Sequence, residues 1–246
     1  KDVFWKTEIG KGRPGWHIEC SAMSMKYLGS SFDIHAGGID LVFPHHENEI
    51  AQSEASTGKK FVNYWLHNEH LLVNGHKMSK SLGNFYTLRD LLSKGHNPKA
   101  IRYLLLSVNY RVQLNFTEES LKSAENAIQR LNDFMIKLRE VNCDFNYIFN
   151  DQKLEELKSN FELAMDNDLN ISVALAHIFD FIKRINTLIM DNKISKDNAI
   201  RIFDLMHKLD EVLGVLDYDK EELSREIMDM VKSRVKARKE KDFAEA

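Results

Sequence analysis

With 246 residues the chain has room for one or two domains, and apolar and charged fractions of 43% and 29% are those of a globular protein. A net charge of −3 supplies no global field for nucleic acid, so such contact has to come from local patches. No apolar run nears the roughly 18 residues that span a bilayer, no signal peptide opens the chain, and Cys20 and Cys143 make no disulfide framework; a cytoplasmic protein without a membrane partner is expected.

Residues 1–13 show neither caps nor a clear period and read as loop or linker. Pro14 and Gly15 open a helix, and Gly29 is a fitting stop. Trp16, Cys20, Met23 and Tyr27 recur along it at spacings of 4, 3 and 4, so they form one face. Trp16 there is either a core anchor or the wall of a pocket beside Cys20; spacing does not choose. Residues 31–36 alternate Phe32 and Ile34 with Asp33 and His35, as a short strand does. Gly37 and Gly38 follow as a loop, and a helix is expected over 44–58. Strand, glycine loop and helix is the order in which α/β sheets bind ligands. Two glycines admit a nucleotide close to the backbone, and Asp40 could accept from ribose hydroxyls. A glycine pair is also an ordinary turn.

His45 and Glu49 stand at i and i+4, so on a helix they share a face and can close on one ion. Cys20, from another element, would bring a third donor; thiolate, imidazole and carboxylate are all zinc ligands. Three ligands leave a tetrahedral position, either open to a substrate or filled by a ligand that this chain lacks. The same residues have plainer readings, a surface His–Glu pair and a small buried cysteine.

Residues 61–69 and 71–73 read as strand segments, and Asn74-Gly75 as a tight turn. Lys77, Met78, Ser79, Lys80 and Ser81 follow at once, then Gly83-Asn84. Two lysines three apart, with two hydroxyls on a short loop, can wrap a polyphosphate; a generic lysine loop would be solvated and idle. Thr87 and Asp90 resemble a capping box that starts another helix.

From Pro98 the pattern is helical. Residues 100–106 are densely apolar, and Asn109, Tyr110 and Arg111 mark a connection. Four stripes follow: Leu121, Ala124, Ile128, Leu131, Met135 and Leu138; then Leu154, Leu157, Phe161 and Ala164; then Phe179, Ile182, Ile185 and Ile189; then Ile202 or Phe203 with Met206, Leu209 and Leu213. Four amphipathic helices with short polar links read as a bundle, with Cys143 and His207 structural or solvent-facing. Asp219 and Glu222 cap a last helix ending, over 232–241, in six basic residues against one acid, either a solvated face or a phosphate-contacting edge.

These blocks together resemble the cysteinyl-tRNA synthetases, a family of class I aminoacyl-tRNA synthetases. The resemblance rests on residues 12–23 around Trp16 and Cys20, on residues 33–52 from Asp33 to Gln52, and on the Lys-Met-Ser-Lys-Ser run at 77–81, which marks class I synthetases generally. It continues through Arg102-Tyr103 and Asn109-Tyr110-Arg111 to residues 237–244 and so covers nearly the whole chain. It implies an α/β fold, a partial Rossmann-like class I catalytic domain, followed by an α-helical bundle. By this resemblance residues 1–97 are the second half of the catalytic domain, 98–117 a connecting segment, 118–217 a tRNA-supporting bundle and 218–246 the start of an anticodon-binding region. Cys20, His45 and Glu49 match zinc ligands, one Zn2+ per subunit. Trp16 and His35 match the cysteine pocket, and Gly37, Gly38 and Asp40 the adenosine turn. Lys77 and Lys80 match the catalytic lysines of the ATP-binding loop formed with Met78, Ser79 and Ser81. The implied partners are L-cysteine, ATP with Mg2+ and tRNA(Cys), for a protein expected to be a monomer.

Zinc prefers a soft thiolate to a hydroxyl, so a metal bond would separate cysteine from serine without editing. The chain departs from the family pattern in several places. It has no His-x-Gly-His motif and no upstream cysteine as fourth zinc ligand; Ala36 stands where glycine is usual, and Glu69-His70 where glycine and an aromatic are common. The 246 residues alone are therefore expected to be an incomplete portion that cannot make adenylate. The alternatives are a related ligase that joins cysteine to an amino-sugar, and a non-catalytic tRNA-binding fragment.

Overall fold

The computed structural model describes residues 3–143 and 151–217, with Met230 and Arg234. The expected last helix at Asp219 and its basic run therefore lie outside the described residues, apart from those two positions. Residues 3–13 form more than a linker: β1 (Trp5–Thr7) and β2 (Gly10–Gly12) make an antiparallel hairpin. Thr7 Oγ1 donates to the Gly10 carbonyl at 2.8 Å, and Gly10 turns the chain at φ 119°, a conformation open to glycine.

Helix α1 (Trp16–Leu28) forms where expected and closes at Gly29, but its apolar stripe is not its buried face. Trp16, Met23 and Tyr27 are exposed, and the buried residue is Ser21, whose hydroxyl donates to Gln52 Oε1 at 2.9 Å. The seam between α1 and α2 (Glu47–Thr57) thus runs through small polar residues, which a hydrophobic period does not report.

Strand β3 (Phe32–Gly38) runs two residues longer than the sequence pattern gives. It pairs in parallel with β4 (Val62–Asn68) from Phe32↔Val62 to Gly38↔Asn68, so Gly37 and Gly38 belong to the ladder rather than to a loop. A side-chain pattern says nothing of residues without side chains. The expected helix over 44–58 divides likewise: a wide turn over Val42–His46, with a cis Phe43–Pro44 bond, leads into α2, which ends at left-handed Gly58.

Beyond β4, strand β5 (Leu71–Val73) turns through Asn74 and Gly75, both at positive φ, into β6 (His76–Lys77). On its other side it pairs in parallel with β7 (Leu114–Phe116), a strand inside the stretch read as a connection. Helix α3 (Leu88–Ser93) starts with the expected capping box of Thr87 and Asp90, whose bonded carboxyl is held below the usual range. Helix α4 (Pro98–Leu106) starts at Asn97 with proline in its first turn.

Helices α5 (Glu118–Glu140), α6 (Gln152–Asp166), α7 (Ile171–Met190) and α8 (Lys196–Leu213) follow as read. The first two stripes are buried throughout, and of the fourth Ile202 is buried rather than Phe203. The third is displaced: α7 buries Ile171, Ala174, Ile178, Ile182 and Ile185, while Phe179 and Ile189 are half-buried at the margin. α7 is apolar around much of its circumference, so its period tolerates rotation by one position. Cys143 is partly exposed near the Asn192 carbonyl, and His207 is exposed.

One apolar core runs from Val73, Leu91 and Leu104 through Phe116 into the four helices. Polar contacts join the same parts: Arg111 and the Tyr110 hydroxyl both bond the Asp168 carboxylate, and Lys99 and Arg102 donate to the carbonyls of Gly214 and Leu213 at the end of α8. Phe61 and Val62 are buried outside that core, beneath the β3–β4 layer.

Candidate active site and metal centre

The carboxyl ends of β3 and β4, the turn before α2 and the start of α1 converge on one cluster. His45 precedes α2 and Glu49 lies in its first turn, so the i, i+4 relation survives the irregular entry: His45 Nε2 is 2.8 Å from Glu49 Oε1. Cys20 reaches the pair from α1, and donor atoms of Cys20, His45 and Glu49 lie within 4.8 Å of one another. A second set, His35, His46 and Glu49, meets the same criterion and shares the carboxylate.

Glu49 is the unusual member. It is 0% exposed, yet its short approach to His45 is not an aligned hydrogen bond, and among the described residues neither carboxylate oxygen has a hydrogen-bond donor. A buried carboxylate without donors costs several kcal/mol or takes up a proton. Burial accordingly pushes the Glu49 carboxyl up to about 7. The Cys20 thiol is raised by burial and then by the charges of Glu49 and Glu19, and His45 is lowered by burial. The buried His45 Nδ1 also has no hydrogen-bond partner among the described residues. Sulfur, nitrogen and oxygen donors, raised acids and unpartnered buried atoms all fit a cation that would displace protons and satisfy the carboxylate.

A ring wall surrounds the donors. Trp16 lies 4.2 Å from the His45 ring, and His35 stacks on Trp65 at 4.7 Å with its Nε2 3.7 Å from Glu49 Oε2. His46 Nδ1 meets His67 Nε2 at 2.7 Å, and burial pushes the His46 ring down to about 4. His46, Trp65 and His67 are absent from the sequence reading. The alternation of Trp65 and His67 on one face of β4 was the available signal.

Gly37 is a glycine for space. A Cβ on Gly37 would lie 2.7 Å from His46 Cε1, and one on Gly38 2.5 Å from Asp40 Oδ1, whose carboxylate folds back over the strand end. The Lys77–Ser81 loop leaves β6 with Lys77, Lys80 and Ser81 exposed and Met78 and Ser79 half-buried. Its polar contacts are local: Ser79 Oγ is 2.6 Å from Ser81 Oγ, and Lys80 Nζ lies 5.4 Å over the Phe85 ring. The structure thus gathers Trp16, Cys20, His35, His45 and Glu49 in one cluster, puts Gly37, Gly38 and Asp40 at its edge, and holds the lysine loop in a separate hairpin.

Residues 1–126 match the family model described as the tRNA synthetases class I (C) catalytic domain, and residues 160–217 match the DALR domain. The chain is 51% identical over 247 residues to the cysteine--tRNA ligase of Chlamydia felis, covering 99% of this chain and 52% of that protein. With the cysteine--tRNA ligase of Brachyspira hyodysenteriae identity is 49% over 252 residues, 100% of this chain and 53% of the relative. The chain therefore spans about half the length of the curated relatives it matches. Among solved structures, a LeuRS of Agrobacterium radiobacter K84, in a ternary complex with tRNA and LeuAMS, superposes with a TM-score of 0.59 at 14% identity, over 86% of this chain and 34% of that one. A putative arginyl tRNA synthetase from Campylobacter jejuni gives 0.59 at 14% identity, over 87% and 56%. At such identity the likeness is one of fold, an α/β catalytic layer followed by helices.

Proposed function

The chain belongs to the cysteinyl-tRNA synthetase family of class I aminoacyl-tRNA synthetases, and on that premise we propose that it serves the ATP-dependent joining of L-cysteine to tRNA(Cys) in the cytoplasm. The observation that carries the proposal is the buried Glu49 carboxylate, which has no hydrogen-bond donor among the described residues and stands beside His45 and Cys20. In this reading residues 1–97 carry the chemistry, 98–117 connect, and 118–217 support the tRNA.

Cys20, His45 and Glu49 would hold Zn2+ with a position left for the substrate. Zinc held there would supply a Lewis acid with a preference for thiolate over hydroxyl, a selection against serine that a plain pocket could not make. Trp16 and His35 flank the substrate, and the Trp65 stack fixes the plane of His35. Gly37 and Gly38 leave room at the end of β3 for the adenosine of ATP, and Asp40 is an acceptor for its ribose. Reaction then needs the cysteine carboxylate to attack the α-phosphate while pyrophosphate leaves, with Mg2+ carried by ATP. Little covalent work falls to the protein. Lys77 and Lys80, with the Ser79 and Ser81 hydroxyls, would offset charge on the leaving pyrophosphate, as positioned cations do in phosphoryl chemistry.

Cysteine-dependent ATP–pyrophosphate exchange in the full-length protein tests the reading, followed by charging of tRNA(Cys). Exchange with cysteine and not with serine is expected. No exchange from protein that carries zinc would sink the enzyme reading, and amide formation with an amino-sugar in place of tRNA charging would move it to the related ligases.

A further inference from the structure

Lys77 and Lys80 differ in what holds them. Lys77 ends β6 and pairs with Leu72, so its backbone is fixed by the ladder. Lys80 lies beyond the last pair, and its position depends on how the loop closes.

The Asn84 side chain spans that closure, beside a Ser79 hydroxyl that accepts from the Ser81 N–H at 3.2 Å. Asn84 Oδ1 accepts from the Ser79 N–H at 2.8 Å, and Asn84 Nδ2 donates to the Lys77 carbonyl at 3.1 Å. In an extended strand the carbonyl of one residue and the N–H of the second residue on point to the same side. The Asn84 amide therefore acts as a one-residue strand partner and carries the edge of β6 past Met78. Met78 packs against the core and lines a cavity of about 210 Å³ with Leu71, Tyr86, Leu91 and Phe116, so the base of the loop is also anchored from below. Between these anchors Gly83, at φ 66°, lets its N–H reach the Lys80 carbonyl at 3.2 Å, and the return segment brings Phe85 under the Lys80 ammonium. An amide supplies donor and acceptor on one planar group; an aspartate of the same shape cannot donate to Lys77.

We infer that Asn84 is a positioning residue for Lys80, acting through the loop backbone to hold the ammonium where pyrophosphate charge develops. The inference rests on the loop's role given above. Two hydrogen bonds to loop backbone are lost in Asn84→Ala, and an ammonium displaced by about 1 Å is enough to slow a positioned reaction about 10- to 100-fold. The test is ATP–pyrophosphate exchange by the full-length protein as wild type, Asn84→Ala, Asn84→Asp, Lys80→Ala and the Asn84→Ala, Lys80→Ala pair. Expected are a fall of about 10- to 100-fold in kcat for both Asn84 variants, with KM for cysteine and the thermal midpoint held. In the Lys80→Ala background the Asn84 substitution should cost nothing further. The isosteric Asn84→Asp decides the matter if Asn84→Ala does not fold. Wild-type rates in that variant, or losses from Asn84 and Lys80 that simply multiply, would overturn the inference and leave the proposed function standing. Absence of exchange in the wild type would overturn both.

Discussion

Glu49 shows how far residue-level reasoning reaches. Its spacing from His45 is legible in the sequence because a helical i, i+4 pair keeps its geometry, and here it does so although the helix begins only at Glu47. That Glu49 is buried, lacks a donor among the described residues and has His35 and His46 beside His45 is not legible, because His35 reaches it from β3 through packing that no local period encodes. Two predictions belong to this scale. Cys20→Ser should weaken zinc binding at least about 100-fold, since loss even of a group that only supports a ligand costs up to that much; unchanged zinc content after competition with a chelator would remove Cys20 from the site. Zinc capture should also depend on pH. Without metal the Glu49 carboxyl holds its proton up to about 7 and the Cys20 thiol holds its own higher still, so zinc has to displace both. Affinity should rise as pH increases through 7 and fall on acidification, and Glu49→Gln should bind more weakly with a flatter pH dependence. A wild-type affinity independent of pH between 6 and 8, in metal-competition titrations, would count against Glu49 as a ligand.

At the scale of elements the bundle was the readable part. Stripes of Leu121, Ala124 and Ile128 or Leu157, Phe161 and Ala164 alternate with charged residues, and such helices have one way to face a core. α7 carries too many apolar residues for its pattern to fix a rotation, so Phe179 was read as core while Ile178 occupies the centre. Ile178 is fully buried, whereas Phe179 lies at the rim beneath the Arg130 guanidinium, 4.8 Å from its ring. Ile178→Ala should therefore destabilise by about 2–5 kcal/mol, and Phe179→Ala by clearly less. Denaturant unfolding of the two variants checks the order, and a larger loss at Phe179 would mean that α7 is turned toward the sequence reading. The strands were less legible. Gly37 and Gly38 extend β3 without side chains, and β7 is only three residues long, so neither offers a period to count.

Across the whole molecule apolar burial is unevenly shared. The continuous core joins β5, β7 and α3–α8, while the layer of α1, α2, β3 and β4 that carries the metal candidates buries Phe61, Val62 and a set of polar groups. A layer held by few apolar contacts opens locally at lower cost than the bundle. Chelation of zinc from the full-length protein should thus raise amide hydrogen exchange in residues 16–68 and leave α5–α8 protected; equal loosening of both parts would deny the metal a structural share in that layer. The central claim is that this layer recognises a thiol through a metal held by Cys20, His45 and Glu49. The most direct measurement replaces zinc by cobalt(II) and follows the thiolate-to-metal absorption as L-cysteine is added. The account predicts that the band grows with cysteine, does not respond to serine, and is weakened in Cys20→Ser. A band indifferent to cysteine, in protein that still forms the adenylate, would mean that the thiol is recognised elsewhere.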